Sequence, residues 1–410
     1  MLSAEFFDAI RIRGETFSDP SPYPPSGHHY QLSNRNPAFT TVKDPLFGSC
    51  KDVRILYRVL HEATTTLNLI SFPHKMLMRK VRFAVIGLGW FGEKHAHVLS
   101  KLPHAELFAV CSRTESRARE IARRYGAKKW YTSWEKTASD PEIDAVSVVT
   151  QIHDHRTPAV LAAEHGKHVF VEKPIAGNLR DADEMIAAAE RNNVHLMVGH
   201  ILRFVSHYAQ AKEVIDDGRI GRIVSIYARR NIPREAAVSP LKYGSPILLD
   251  AIHDTDIMLW YLGDEVESVY GTWLNASGSP HPDVAWCIYN FRSGAKGVCE
   301  TVWFLPEKTP FRIDAKMEIL GTDGAIYIDC GETGLEVHDR EGVKRYDTIH
   351  WPIIHGRIVG ALKEELSYFA ECVLNDKRPE IVTPQEARKA LELVLAAERS
   401  ARSGFPISIK

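Results

Sequence analysis

The chain has 410 residues, 44% hydrophobic and 25% charged, which suits two globular cores and excludes a wholly disordered or fibrous chain. A formal net charge of -1 gives no global field to attract nucleic acid or an anionic membrane, and no apolar run nears the roughly 18 residues of a membrane span. The six cysteines (Cys50, Cys111, Cys287, Cys299, Cys330, Cys372) lack CxxC spacing and read as reduced, mostly buried thiols.

The opening MLSAEFFDAIRIRG carries acids and no apolar h-region, so it does not read as a secretory signal and a cytoplasmic location is expected. Residues 18–37 are rich in Pro, Ser and Asn and cannot offset their ordering entropy. Residues 1–75 are therefore expected to be an extension, or to precede the natural start if translation begins at Met76 or Met78. Regular patterning begins at VRFAVIG, an apolar run that suits a strand buried on both faces. A helix is expected over 90–101, a strand at ELFAVC, a helix over 114–125 and a strand at DAVSVVT. Pro158 and Gly166 bracket another helix, and HVFVEKP, 179–192 and VHLMVGH supply strand, helix and strand. This alternation predicts a doubly wound parallel sheet over 76–200. Beyond it, over 201–410, alternating strands at 222–229, 266–273, 285–291 and 297–304 predict a second α/β domain with a largely antiparallel sheet. Helices are expected at about 250–262, 357–374 and 384–402. Tyr227, Tyr270 and Trp303 are expected on an outward sheet face, available to a second copy in a homodimer or homotetramer.

Gly87-Leu88-Gly89-Trp90-Phe91-Gly92 is GxGxxG directly after a strand and opening a helix. Its glycines permit a tight turn, close backbone approach to a pyrophosphate and close helix–strand packing, so a dinucleotide is expected there. Ser112, 20 residues after Gly92, begins Ser112-Arg113-Thr114 at the end of the next strand. An acid at that place would bind the ribose 2′-OH of NAD. Hydroxyls and a guanidinium favour NADP over NAD. The competing reading is an S-x-x-E capping box from Ser112 to Glu115 with Arg113 a solvated charge. The loop from Thr150 through His153, Asp154 and His155 reads as cofactor lining, with Thr150 and His155 the expected contacts. Two histidines at i,i+2 without further ligands are weak evidence for a metal.

With Glu172-Lys173-Pro174 closing a later strand, the chain resembles the Gfo/Idh/MocA oxidoreductases over roughly residues 80–410. The segments that carry the resemblance are GKHVFVEKP (166–174), VGHILRF (198–204), IHDTDIMLWYLG (252–263) and the closing TPQEARKALELVLAAERSARSG. It implies hydride transfer between a nicotinamide and a carbon bearing a secondary hydroxyl on a sugar, inositol or related polyol. It also implies that His253 is the general acid/base, that Lys173 donates to the reacting oxygen, and that Glu172 and Pro174 position the loop through a cis peptide. Glu172 and Lys173 would also touch cofactor, and Arg203 with Lys173 and His253 would touch substrate. One departure stands out. The family commonly places an aspartate four residues before the histidine, where this chain has Leu249, and Asp250 is three before. Asp250 either shares the helix face of His253 and tunes it, or caps that helix. Asp254 and Asp256 read as structural or solvated, and Arg229, Arg230, His355 and Arg357 as further substrate-contact candidates. Rival functions are a redox-assisted glycoside elimination or hydrolysis with recycled cofactor, and a non-catalytic dinucleotide sensor.

Overall fold

The computed structural model describes residues 79–331 and 334–409; the expectations placed on residues 1–75 and on Cys50 lie outside them. Six strands form the first sheet: β1 (Val81–Ile86), β2 (Ala105–Cys111), β3 (Lys129–Tyr131), β4 (Ala145–Val148), β5 (His168–Glu172) and β6 (Leu196–Gly199). Their order is β3-β2-β1-β4-β5-β6, and every pairing is parallel. Helices α1 (Trp90–Leu99), α2 (Glu115–Tyr125), α3 (Trp134–Ala138), α4 (Arg156–Glu164) and α5 (Leu179–Arg191) connect them. Phe83, Ala84, Val85 and Ile86 are all fully buried, which is why VRFAVIG shows no alternation. The order reverses between β1 and β4, so the loops leaving their carboxyl ends diverge and open a crevice. The capping box of the competing reading is not formed. Thr114 is the N-cap of α2 and makes no side-chain cap bond, while Ser112 Oγ accepts from the Thr114 N–H at 3.2 Å.

The second sheet has the order β12-β11-β7-β10-β9-β8-β17. Its strands are β7 (Ile223–Asn231), β8 (Val266–Leu274), β9 (Val284–Phe291), β10 (Lys296–Val302), β11 (Asp314–Gly321), β12 (Ala325–Asp329) and β17 (Ile407–Ser408). It is antiparallel except where β7 meets β10. The short strands β13 (Glu336–Asp339) and β14 (Gly342–Arg345) pair only with each other. Along β7, Ile226, Ala228 and Arg230 point into the protein and Tyr227 and Arg229 point out, as period-two pleating requires. The helices after β6 are α6 (Ser206–Asp216), α7 (Arg234–Ala237), α8 (Ile252–Leu262), α9 (Ala361–Leu374) and α10 (Pro384–Ser403). Helices α8 and α10 cover the inner face of the sheet. A Cβ on Gly271 of β8 would lie 2.2 Å from the Ala397 carbonyl, so α10 lies directly on that strand. The start of α10 is a full capping box: Glu386 N–H donates to Thr383 Oγ1 at 3.2 Å and Thr383 N–H to Glu386 Oε2 at 2.9 Å.

Two expectations need correction. Trp303 is not on the outer face. It lies one residue past β10, where pleating no longer governs direction, and its ring is 2% exposed against Ala237 and Leu241. The helix expected from 357 begins at Ala361, because Arg357 and Ile358 form strand β16 opposite β15 (Ile353–Ile354) and Gly360 turns the chain at φ 83°. The five described cysteines are buried and free. No helix among the described residues is long and apolar enough to cross a membrane.

Candidate active site

The glycine cradle has the geometry each of its positions needs. Gly87 adopts φ 98°, and a Cβ there would lie 2.4 Å from the Val149 carbonyl. A Cβ on Gly92 would lie 1.8 Å from the Gly87 carbonyl, so α1 touches the turn itself. A Cβ on Gly89 would meet nothing within 4 Å, which leaves the backbone at the start of α1 open to an anionic group. These residues fit a dinucleotide pyrophosphate. Gly87 N–H donates to the Cys111 carbonyl at 3.0 Å, which sets Ser112, Arg113 and Thr114 beside the cradle at the end of β2. Arg113 is open to solvent and lies 3.9 Å from Asp154.

A cleft of about 480 Å³ joins this cradle to the second sheet. Gly89, Trp90, Phe91, Gly92, Thr150 and His155 line one end, and Glu172, Lys173, Asp250 and His253 the other. His155 is buried with Nδ1 3.0 Å from the Pro174 carbonyl and Nε2 3.1 Å from the Thr150 carbonyl. Burial lowers its pKa, so the neutral ring donates to one of these carbonyls and packs against the other, between two loops. The peptide between Lys173 and Pro174 is cis. Lys173 Nζ donates to the Leu249 carbonyl at 2.6 Å. That carbonyl belongs to a π-helical turn, Ile247–Ala251, that runs into α8. The wider turn resolves the displaced aspartate. Asp250 does not cap α8; its carboxylate lines the cleft and accepts from Trp303 Nε1 at 2.8 Å.

Burial lowers the Lys173 pKa, and the charges of Asp250 and Glu172 oppose that fall. Burial also pushes His253 well below the ordinary imidazole range, assisted by the cations Lys173 and Arg230. The ring is thus neutral at neutral pH, and its Nδ1 has no hydrogen-bond partner among the described residues. Two buried ion pairs hold the floor. Arg230 grips Asp254 with bonds of 3.0 and 2.9 Å, and Arg203 grips Asp256 with bonds of 2.9 and 2.7 Å. Asp254 and Asp256 are accordingly buried structural partners, not solvated groups.

Arg203 is a correction. Its guanidinium is also taken by the Ile381 carbonyl and Glu386, and it does not line the cleft; the adjacent Leu202 does. Arg230 lines the cleft, whereas Arg229 faces the other side of the sheet and pairs with Asp314 at 3.0 Å. His355 and Arg357 lie on the exposed β15–β16 hairpin. Tyr243, Trp303, Arg312, His350 and Trp351 line the cleft without having been anticipated. Trp351 packs edge-on against Trp90 and Phe91, at centroid distances of 5.7 and 5.3 Å. No motif marks these residues; only aromatic content gives a hint.

Residues 81–200 match the family model described as "Oxidoreductase family, NAD-binding Rossmann fold", and residues 208–327 match the GFO/IDH/MocA C-terminal domain. The chain belongs to the Gfo/Idh/MocA oxidoreductase family. It is 35% identical over 341 residues to the scyllo-inositol 2-dehydrogenase (NAD(+)) of Bacillus subtilis, covering 80% of this chain and 96% of that one. It is 31% identical over 330 residues to the myo-inositol 2-dehydrogenase of Thermotoga maritima, covering 78% and 96%. A crystal structure of a probable dehydrogenase from Thermotoga maritima superposes with a TM-score of 0.68 at 30% identity, over 80% of this chain and 98% of that one. Membership makes this Gfo/Idh/MocA chain a dinucleotide-dependent dehydrogenase acting on CH–OH groups, with NAD-binding architecture in its first sheet.

Proposed function

We propose that this family member passes a hydride between a bound nicotinamide and a secondary hydroxyl or ketone carbon of a sugar, inositol or related polyol. The reading rests on one observation: Lys173, Asp250 and His253 converge in the same cleft as the glycine cradle, at the carboxyl end of β5. The dinucleotide, when bound, supplies the hydride acceptor or donor. Neutral His253, which lines the cleft, removes the hydroxyl proton in the oxidative direction. Lys173, fixed on the Leu249 carbonyl, stabilises the alkoxide charge that develops. Asp250, oriented by Trp303, supports the charge of Lys173 and accepts from a neighbouring substrate hydroxyl. Glu172 holds the loop, accepting the Lys173 N–H at 3.2 Å.

The test is a panel of polyols, aldoses, amino sugars and uronic acids with each nicotinamide cofactor, read as reduced-nicotinamide absorbance. Net accumulation with a cyclic polyol or sugar supports the reading. Product without net reduced cofactor would replace it with redox-recycled elimination, and cofactor binding with no turnover of any member would favour a sensor.

Two finer statements belong to the proposal. NADP is favoured, because the end of β2 carries Ser112, Arg113 and Thr114 and no acid, although the Bacillus relative is named for NAD. The chain also forms a homodimer or homotetramer through the outer face of the second sheet, which exposes Trp286, Ile288, Leu320 and Tyr327. A monomeric mass by light scattering at micromolar concentration counts against the second statement.

A further inference from the structure

Ahead of α9, the turn from Asp347 to Trp351 carries an oriented imidazole that the reaction described above does not use. The Asp347 carboxylate accepts from the backbone N–H groups of Ile349 at 3.1 Å, His350 at 2.9 Å and Trp351 at 2.9 Å. His350 Nδ1 lies 3.0 Å from the same Oδ1. Burial would raise the Asp347 pKa, but these bonds and the nearby imidazole bring it down to about 2, so the group is ionised at working pH. A carboxylate only accepts. His350 must therefore donate through Nδ1–H, and the neutral ring is left with Nε2 as an acceptor. The backbone of the turn is fixed from the other side, where the Ile349 and His350 carbonyls accept from Ala361 and Leu362 N–H at 2.9 and 3.0 Å. A Cβ on Gly360 would lie 2.4 Å from the Ile349 carbonyl, so a glycine is needed where the turn meets the start of α9.

His350 is 5% exposed and lines the cleft between its two ends. On one side its neighbour Trp351 packs on Trp90 and Phe91 of the cradle. On the other, the charge of His350 bears on His253. Three polar groups of the substrate end are committed within the protein: Arg230 to Asp254, Trp303 Nε1 to Asp250, and Lys173 Nζ to the Leu249 carbonyl. His350 Nε2 makes no hydrogen bond to another described residue, and unlike His253 Nδ1 it is not wholly enclosed. The three backbone bonds to Asp347 suffice to hold the turn. Fixing the ring as well serves whatever meets Nε2.

We propose that His350 is a substrate-binding residue whose Nε2 accepts a hydrogen bond from a polyol hydroxyl other than the one oxidised, with Asp347 as its positioning residue. The inference rests on the polyol reading above and narrows the substrate class. The substrate carries at least two hydroxyls, one for Lys173 and His253 and one for Nε2. A monohydric alcohol can meet the first pair, but it leaves a desolvated acceptor at His350 without a donor, and a site built to bind a hydroxyl discriminates strongly against a ligand that lacks it. The second hydroxyl is bound alike before and during hydride transfer, so the contact belongs to binding. Its loss should appear in the polyol KM and not in kcat.

Two substitutions separate this role from a merely structural one, with the fastest-oxidised polyol of the panel as probe. An asparagine amide N–H falls where Nδ1–H was, and a glutamine amide falls where Nε2 was. His350→Asn therefore keeps the bond to Asp347 and loses the group toward the cleft. It is expected to hold the thermal midpoint and raise the polyol KM at least ~10-fold, with most of the change in KM and the dinucleotide Kd little altered. His350→Gln loses the bond to Asp347 and keeps an acceptor toward the cleft. It is expected to melt lower and yet to recover most of the KM lost by the asparagine variant. A structural imidazole would give the opposite order. An asparagine variant with the parent's KM, a glutamine variant no better than the asparagine one, or loss of folding in both overturns the inference. Nitrogen NMR of the histidine-labelled parent loaded with dinucleotide needs no turnover. The Nε2 signal of His350, identified by its loss in either variant, should move when the polyol is added, and an unmoved signal also overturns the inference. Near-normal turnover in Lys173→Ala, or a panel in which no polyol is oxidised, would instead overturn the reading on which it rests.

Discussion

The two ends of the cleft are built from different materials. The cofactor end is backbone: three glycines, a helix N-terminus, and a histidine whose buried ring lies between two loop carbonyls. The substrate end is side chain: two buried guanidinium–carboxylate pairs, a lysine seated on a π-turn carbonyl, and an aspartate held by an indole. A backbone site costs little to keep empty, because amides and glycines carry no net charge. A side-chain site of this polarity must balance its charges before any ligand arrives. Damage at the first end should therefore appear in binding, and damage at the second in stability as well as turnover.

The largest expected effect tests that contrast directly. Asp254→Ala leaves the Arg230 guanidinium, 3% exposed, without its carboxylate. Breaking such a pair typically costs about 3–5 kcal/mol, so the denaturant midpoint should fall well below the parent's. Gly89→Asp, placed where a Cβ meets nothing within 4 Å and φ is an ordinary -69°, should leave the unfolding free energy within about 1 kcal/mol of the parent's. Its carboxylate would occupy the anion position, and the Kd for dinucleotide should rise at least ~10-fold. If both variants lose stability equally, the contrast between the two ends fails.

Next in size is the chemistry. Lys173→Ala and His253→Ala are each expected to lower kcat by at least ~10²-fold while the fold persists. Near-normal turnover in a folded variant removes that residue from the reaction. The pH profile adds a sign. His253 is held below its ordinary value by burial and by Lys173, and the base must be neutral to accept a proton. Oxidation should therefore fall only as pH drops through that depressed pKa, so the acid limb lies below the usual histidine value of 6.5. An acid limb at or above it would mean that another group is the base.

The same division of materials governs which residues are legible in the sequence. Gly87, Gly89 and Gly92 are legible because backbone constraints act at fixed spacing: a Cβ would collide at Gly87 and Gly92, while Gly89 leaves the start of α1 open. The parallel order of β1 to β6 follows from the same regular rhythm, with only the short β3 and α3 unmarked by it. At the substrate end partners lie far apart in sequence. Arg203 meets Asp256 across 53 residues, and Trp303 meets Asp250 across 53. No local pattern announces such pairs, so Arg203 reads as a substrate contact when its guanidinium is in fact saturated. The π-turn is equally hidden. Asp250 one place off the family position looks like a defect in the motif, yet the altered helical geometry still delivers its carboxylate to the cleft.

The smallest expected effect concerns cofactor choice, at the margin between the two materials. Ser112 sits where β2 ends beside the cradle, and its Oγ accepts from the Thr114 N–H, which keeps the turn in place. An aspartate there can accept the same N–H bond and adds a negative charge near the ribose 2′ position. Two unit charges at 4 Å interact by about 1 kcal/mol in water, and a 2′-phosphate carries more than one. Ser112→Asp should therefore shift the ratio of kcat/KM toward NAD by roughly tenfold, with most of the change in the KM for NADP. Arg113 remains exposed in the variant and can still meet a phosphate, so NADP binding should weaken and not vanish. A parent with equal kcat/KM for both cofactors, unchanged by the substitution, would show that this strand end does not read the 2′ position. Raising the salt concentration checks the cause: an exposed electrostatic preference should shrink as screening increases, while a steric one should not.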